Sequence, residues 1–212
     1  MQFQELKDRL TKINNLPLPG EIVQWEMAPE SRKTSVDEIE IEERKPRWAG
    51  VTGLFYPSEQ QEAMLVLILR NTYRGVHSNQ VGFPGGKRED YDDTLADTAL
   101  RETEEEIGVD RESIYLVKKM TKIYIPPSNF WVQPYMGYVN YTPRFVGEDA
   151  EVAAIIEVKV RDFLAEESHV QHQVALKTST IDVPAYSLNK YNVWGATAMM
   201  LSEMKNLLLE AK

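Results

Sequence analysis

The chain has 212 residues, 42% hydrophobic and 27% charged, which suits one domain, or one domain with an extension, able to bury a real core. It has no cysteine and three histidines, His77, His169 and His172, which excludes disulfides, zinc–thiolate sites and cysteine nucleophiles and makes any metal a hard cation held by oxygen. The net charge of −9 argues against a wide basic face for duplex nucleic acid and requires local positive charge or bound cations wherever phosphates sit.

Met1–Leu10 mixes charged and apolar residues and has no signal-peptide apolar region, so the protein is expected in the cytoplasm. Residues 1–15 are predicted as an amphipathic helix, with Phe3, Leu6, Leu10 and Ile13 three and four apart, ended by Pro17, Pro19 and Gly20. Residues 20–46 hold many charges and little apolar period, which predicts an extended arm. Residues 1–45 are thus expected to be a helix and arm packed on a domain formed by residues 46–212.

Ala49–Tyr56 is predicted as a strand stopped by Pro57, and Ala63–Arg70, nearly all apolar, as a strand buried on both faces. The longest apolar run, Ala63–Leu69, is far short of the roughly 18 residues of a membrane span. A polar segment, Asn71–Gln80, precedes a short strand at Val81–Phe83 and a turn at Pro84-Gly85-Gly86. Thr94–Ile107 is expected to be a helix ended by Gly108, a common C-terminal cap. Strands are expected at Ile114–Ile125, Phe130–Asn140 and Val152–Val160, then a short helix at Val160–Leu164. Val174–Ser179 and Ile181–Leu188 suggest a hairpin, Tyr191–Trp194 a last strand, and Gly195–Glu210 a final helix with Ala198, Leu201, Met204 and Leu208 on one side. His169 and His172 fall in a predicted polar loop with no assigned role. Trp194 and Met199-Met200 are expected to pack in the core or a subunit contact. The strands are too many and too close for a doubly wound sheet, so the expectation is a mixed β-sheet with helices on its faces.

The predicted helix carries Glu102, Glu104, Glu105 and Glu106. Residues three and four apart share a helix face, so Glu102, Glu105 and Glu106 cluster while Glu104 points elsewhere. Like charges at that spacing, near a helix C-terminus, are unfavourable, and divalent cations would offset the repulsion. Oxygen-only ligation fits magnesium or manganese. On the helix alone, a solvated acidic face is an equal reading. Gly85-Gly86, after a strand, lets the backbone approach a ligand and expose a carbonyl, or serves as a plain tight turn.

Gly86, Asp92, Arg101-Glu102, Glu105-Glu106, Gly108 and Val109 together resemble the box of the Nudix hydrolases: a glycine followed by an acid, then Arg-Glu, Glu-Glu and Gly. Asp92 stands where the common box has glutamate, and the gap from it to Arg101 is one residue longer than usual. That spacing, Phe83-Pro84-Gly85-Gly86, and the segment Leu69–Gln80 resemble the coenzyme A pyrophosphatase branch, as do Ile125–Phe130 and Val193–Thr197. Asn79 and Asn71 depart from that branch, replacing a glycine and a serine often found there. The resemblance covers about residues 27–210.

The resemblance implies an α/β/α sandwich with a mixed β-sheet flanked by helices. It implies metal-dependent hydrolysis of a diphosphate bond with Mg²⁺ or Mn²⁺, coenzyme A or a derivative being split into 4′-phosphopantetheine and 3′-phospho-AMP. The alternatives are another nucleoside diphosphate derivative, such as ADP-ribose, NADH or a damaged nucleoside triphosphate, and a non-catalytic ligand sensor on the same fold. Metal binding falls to Glu102, Glu105 and Glu106, with the Gly86 carbonyl as a further ligand, and Arg101 orients the glutamates. Glu151, then Glu148, is the candidate downstream metal ligand or base. Arg70, Arg74, His77 and Gln80 are candidates for the substrate phosphates, and Ser128 and Asn129, with Phe130, for a substrate loop. A small-molecule nucleotide substrate, with no nucleic acid or membrane partner, and a monomer or homodimer are expected.

Overall fold

The computed structural model describes residues 1–32, 38–71, 80–148, 150–175 and 180–212. Two long stretches set the centre of the main sheet: β1, Arg47–Pro57, and β2, Ala63–Arg70, whose side chains are buried on both faces. They pair antiparallel, and β1 also runs parallel to β7, Phe130–Tyr138. Short strands complete the sheet: β3, Val81–Gly82, and β8, Val152–Lys159, on β2; β4, Gly85–Lys87, on β1; β5, Tyr115–Lys119, and β6, Ile123–Ile125, on β7. The sheet is mixed, as expected from the density of strands.

Where the sequence predicts one strand over Ile114–Ile125, the chain breaks between β5 and β6 because Thr121 turns inward to hydrogen-bond the carboxylate of Glu203. The predicted turn at Pro84-Gly85-Gly86 is in part strand β4. Gly86 lies opposite Gly50, and a Cβ on Gly50 would fall 2.3 Å from the Leu95 carbonyl oxygen, so these glycines let a helix lie close on the sheet.

The final strands form a separate three-stranded sheet rather than ending the first. It comprises β9, His169–Ala175, β10, Thr180–Leu188, and β11, Tyr191–Trp194. His169 and His172 therefore lie on a strand and not in a loop. Burial alternates residue by residue along β9, which is the signature of a half-buried strand.

The helices are α1, Phe3–Ile13; α2, Glu21–Trp25; α3, Glu38–Glu43; α4, Leu95–Ile107; α5, Val160–Leu164; and α6, Gly195–Glu210. The arm is thus not extended: it holds α2, α3 and a single 3-10 turn at Glu30–Arg32. Phe3, Leu6, Leu10 and Ile13 of α1 join one core with Leu65 and Leu67 of the sheet and Leu201, Met204 and Leu208 of α6. None of the described helices is long and apolar enough to cross a membrane.

Candidate active site

Helix α4 begins and ends where its sequence dictates. Thr94 caps its N-terminus, accepting from the Asp97 N–H while the Asp97 carboxylate takes the Thr94 N–H, and Gly108 closes it in the left-handed conformation at φ 71°. Its first half packs on β1 through Ala99. Its second half carries the acids.

Arg101 is the hub. Its Nε and Nη2 hold both oxygens of Asp92 at 2.9 and 2.8 Å, and Nη1 donates to Glu102 at 2.8 Å and Glu105 at 2.9 Å. Asp92 is only 4% exposed and also accepts from the Thr98 hydroxyl and the Glu89 N–H. The guanidinium holds the Asp92 carboxyl well below the usual carboxylate range, and the aspartate in turn keeps Arg101 charged. The sequence marks Asp92 as part of the motif, but not that it anchors the arginine, because that pairing forms only when the turn before α4 folds back on the helix.

Glu106 is 1% exposed. It accepts from Arg70 Nη1 at 2.9 Å and from the Gly85 N–H at 2.7 Å. Burial pushes its carboxyl up to about 7, with Glu102 and Glu151 adding to the rise and Arg70 and the Gly85 N–H opposing it. Burial likewise raises Glu102, against Arg101, and the repulsion of Glu105 and Glu151 adds to it. Four of the predicted acids, Glu102, Glu105, Glu106 and Glu151, are therefore linked by mutual repulsion across two elements. The loop before β8 brings Glu151 in: the Val146 N–H bonds the Ile107 carbonyl, and the Glu148 N–H the Glu106 carbonyl, which ties the loop to the end of α4.

Among the described residues, no three acidic or histidine side chains stand gathered around one point. Glu102 and Glu105 are turned onto Arg101, and Glu106 onto Arg70 and Gly85. The donor set nonetheless fits a hard divalent cation. It is all oxygen, and its carboxylates repel one another. The Glu102 carboxylate also packs so closely on Gly86 that an added Cβ would lie 2.2 Å from its Oε2.

A cleft of about 910 Å³ opens beside this corner. Its wall reaches Arg70, Gly85 and Gly86, the partners of Glu106 and Glu102, but not the glutamates themselves. Gln80 and Ser128 line it as well. Asn129 is absent from its lining: at φ 53°, Asn129 holds the Pro126–Asn129 turn by accepting from the Tyr124 hydroxyl and donating to the Arg44 carbonyl. Arg74 and His77 lie outside the described residues. Phe130 borders the cleft with the Arg47 guanidinium 4.2 Å above its ring. Trp194, expected in the core or a subunit contact, is half-buried on the cleft wall, with Met200 beside it and Arg32 and Ile181 also lining the space. Met199 and Met200 pack in the core as expected.

Residues 46–177 match the model of the NUDIX domain. Nudix hydrolases described as NudL, from Yersinia pestis (strain Pestoides F) and Yersinia pseudotuberculosis (serotype O:1b), are 31% identical over 146 residues, covering 68% of this chain and 71% of each relative. The crystal structure of the Nudix hydrolase RenU from M. smegmatis shares the fold at a TM-score of 0.54 and 12% identity, over 78% of this chain and 87% of that one. With the family model spanning β1 to the three-stranded sheet and the Yersinia relatives matching two thirds of the sequence, the chain belongs to the Nudix hydrolases, pyrophosphatases of nucleoside diphosphate derivatives that generally use divalent metal ions.

Proposed function

We propose that the protein hydrolyses the diphosphate of coenzyme A or a derivative, giving 4′-phosphopantetheine and 3′-phospho-AMP. The observation that carries the proposal is the junction of two features. An acidic corner with mutually repelling glutamates meets, at Arg70, Gly85 and Gly86, a long cleft walled by Phe83, Phe130 and Trp194. Apolar and aromatic walls suit the adenine ring and the pantetheine chain, which a simple phosphate substrate lacks. The Arg70–Gln80 segment, which resembles the coenzyme A branch, favours this substrate over other nucleotides.

In this reading Glu102, Glu105 and Glu106, with the Gly86 carbonyl, hold Mg²⁺ or Mn²⁺. When bound, such a cation neutralises the phosphate oxygens and acidifies the attacking water. Arg101 fixes Glu102 and Glu105, and Asp92 fixes Arg101. Glu151, drawn in by the loop that follows Val146, is the residue that takes the proton from water. Arg70 steadies Glu106 at the cleft edge, where Gln80 meets the phosphates; Arg74 and His77 are further phosphate ligands in this reading. Ser128 borders the substrate, and Asn129 shapes the turn that carries it. Residues 46–212 form the catalytic domain, residues 1–45 an arm that completes the cleft, and the protein works in the cytoplasm.

The test is a comparison of kcat/KM for coenzyme A, ADP-ribose, NADH and an oxidised nucleoside triphosphate with excess Mg²⁺. Coenzyme A is expected to lead by at least about tenfold, a margin of about 1.4 kcal/mol in transition-state binding. A leading value for ADP-ribose overturns the substrate assignment while keeping the chemistry.

A further inference from the structure

We propose that Arg32 is a specificity-determining residue that binds a second anionic group of the substrate, a phosphate monoester on its ribose. The identification of that group as the 3′-phosphate rests on the coenzyme A reading above.

The cleft wall includes Arg70, Gly85 and Gly86, which touch the glutamates, and also Arg32, Ile125 and Ser128. The strand register fixes the span between them. Gly86 pairs with Gly50 of β1, Gly50 with Gln133 of β7, and β7 with β6, where Trp131 faces Tyr124. The Arg32 guanidinium donates to the Tyr124 carbonyl. Three strand-to-strand steps put the Gly86 and Tyr124 backbones about 14 Å apart. A diphosphate resting at the glutamates cannot also reach Arg32, so the anion that meets Arg32 must be a different group of the same ligand.

The chemistry of the site asks for such an anion. Burial lowers the Arg32 pKa, with no neighbouring acid acting against it. Among the described residues, its side chain has the one hydrogen bond to the Tyr124 carbonyl and no ion pair, although a guanidinium carries five N–H donors in a planar fork. A desolvated cation with no ion pair among the described residues is costly, and its fork matches the oxygens of a phosphate. Arg70, by contrast, is already paired with Glu106.

Arg32 is also held in place. Its 3-10 turn follows Met27 and Ala28, both buried in the core, and α2 is fastened by Glu203, which accepts from the Gly20 N–H and from Gln24. On a nucleotide, the anion set apart from the 5′-diphosphate is a phosphate monoester on the ribose, at the 3′ position in coenzyme A and at the 2′ position in other dinucleotides.

Calorimetric titration of the full-length protein with 3′-phospho-AMP, 2′-phospho-AMP and AMP tests this. Wild type is expected to bind 3′-phospho-AMP about tenfold more tightly than AMP, as one charge-assisted fork implies. Arg32→Gln should bring the two ligands to within about twofold, and Arg32→Lys, which keeps the charge but loses the fork, should fall between. A preference for 2′-phospho-AMP that Arg32→Gln abolishes upholds the role of Arg32 and overturns the coenzyme A assignment. The proposal is overturned if wild type prefers neither phosphorylated ligand, or if the preference survives in Arg32→Gln. It is equally overturned if both variants lose AMP and 3′-phospho-AMP together, which would mark Arg32 as a structural residue.

Discussion

Two buried carboxylates organise the two sides of the cleft, and they do so in different ways. Asp92 fixes Arg101, and through it Glu102 and Glu105, entirely within the stretch Gly85–Gly108. Glu203, 0% exposed on α6, accepts from the Gly20 N–H, the Gln24 amide, and both the N–H and hydroxyl of Thr121. It ties together three segments far apart in the chain. The Asp92–Arg101 part of the acidic corner is therefore a local object, built by one helix and the turn before it, whereas the opposite wall is assembled from the arm, the turn after β6, β10 and the start of α6. The family match over residues 46–177 contains the first and omits Arg32, Ile181 and Trp194 of the second.

The sharpest way to separate the two sides is to remove each carboxylate. Asp92→Ala and Glu203→Ala each leave several buried donors without an acceptor and should cost about 3 kcal/mol, measured as a shift in chemical denaturation. Their kinetics should differ. Asp92→Ala lowers kcat by releasing Arg101, while Glu203→Ala raises KM by loosening the arm and spares kcat. A fall in kcat in both would erase the distinction. The two sides also differ in acid. Because Arg101 holds the folded Asp92 below its unfolded pKa, the stability Asp92 contributes is present above the ordinary carboxylate range and is lost as pH falls through the lowered value. Urea midpoints measured from pH 7 downward should fall less steeply for Asp92→Asn than for wild type.

A smaller effect probes the corner alone. The three atoms nearest a methyl on Gly86 all belong to the end of the Glu102 side chain, so Gly86→Ala should change stability by under about 1 kcal/mol yet lower kcat about a hundredfold by displacing that carboxylate. Denaturation and steady-state kinetics on one sample check both halves. The smallest effect falls on the wall. Trp194→Ala should raise KM about tenfold and leave kcat within about twofold, as expected for lost stacking distant from the reacting bond.

The same division explains what the sequence reveals. The α4 boundaries are legible because Thr94 and Gly108 are local caps, and β2 because an unbroken apolar run needs no partner to be recognised. The face shared by Glu102, Glu105 and Glu106 follows from helical spacing. That Glu106 is buried does not, because its partners Arg70 and Gly85 come from other strands. Helices α2 and α3 are too short for their apolar spacing to stand out among the charges of the arm. The split into two sheets depends on pairing between distant segments. Trp194 is an aromatic beside a helix start, a pattern that fits core and cleft wall equally until the three-stranded sheet is in place.

In the proposed reaction the glutamates of α4 carry the cleavage of the coenzyme A diphosphate. Product analysis of coenzyme A incubated with excess Mg²⁺ and either wild type or Glu105→Gln tests it most directly. Wild type should release 4′-phosphopantetheine and 3′-phospho-AMP, with Glu105→Gln about a thousandfold slower. Equal turnover by the two proteins would contradict it.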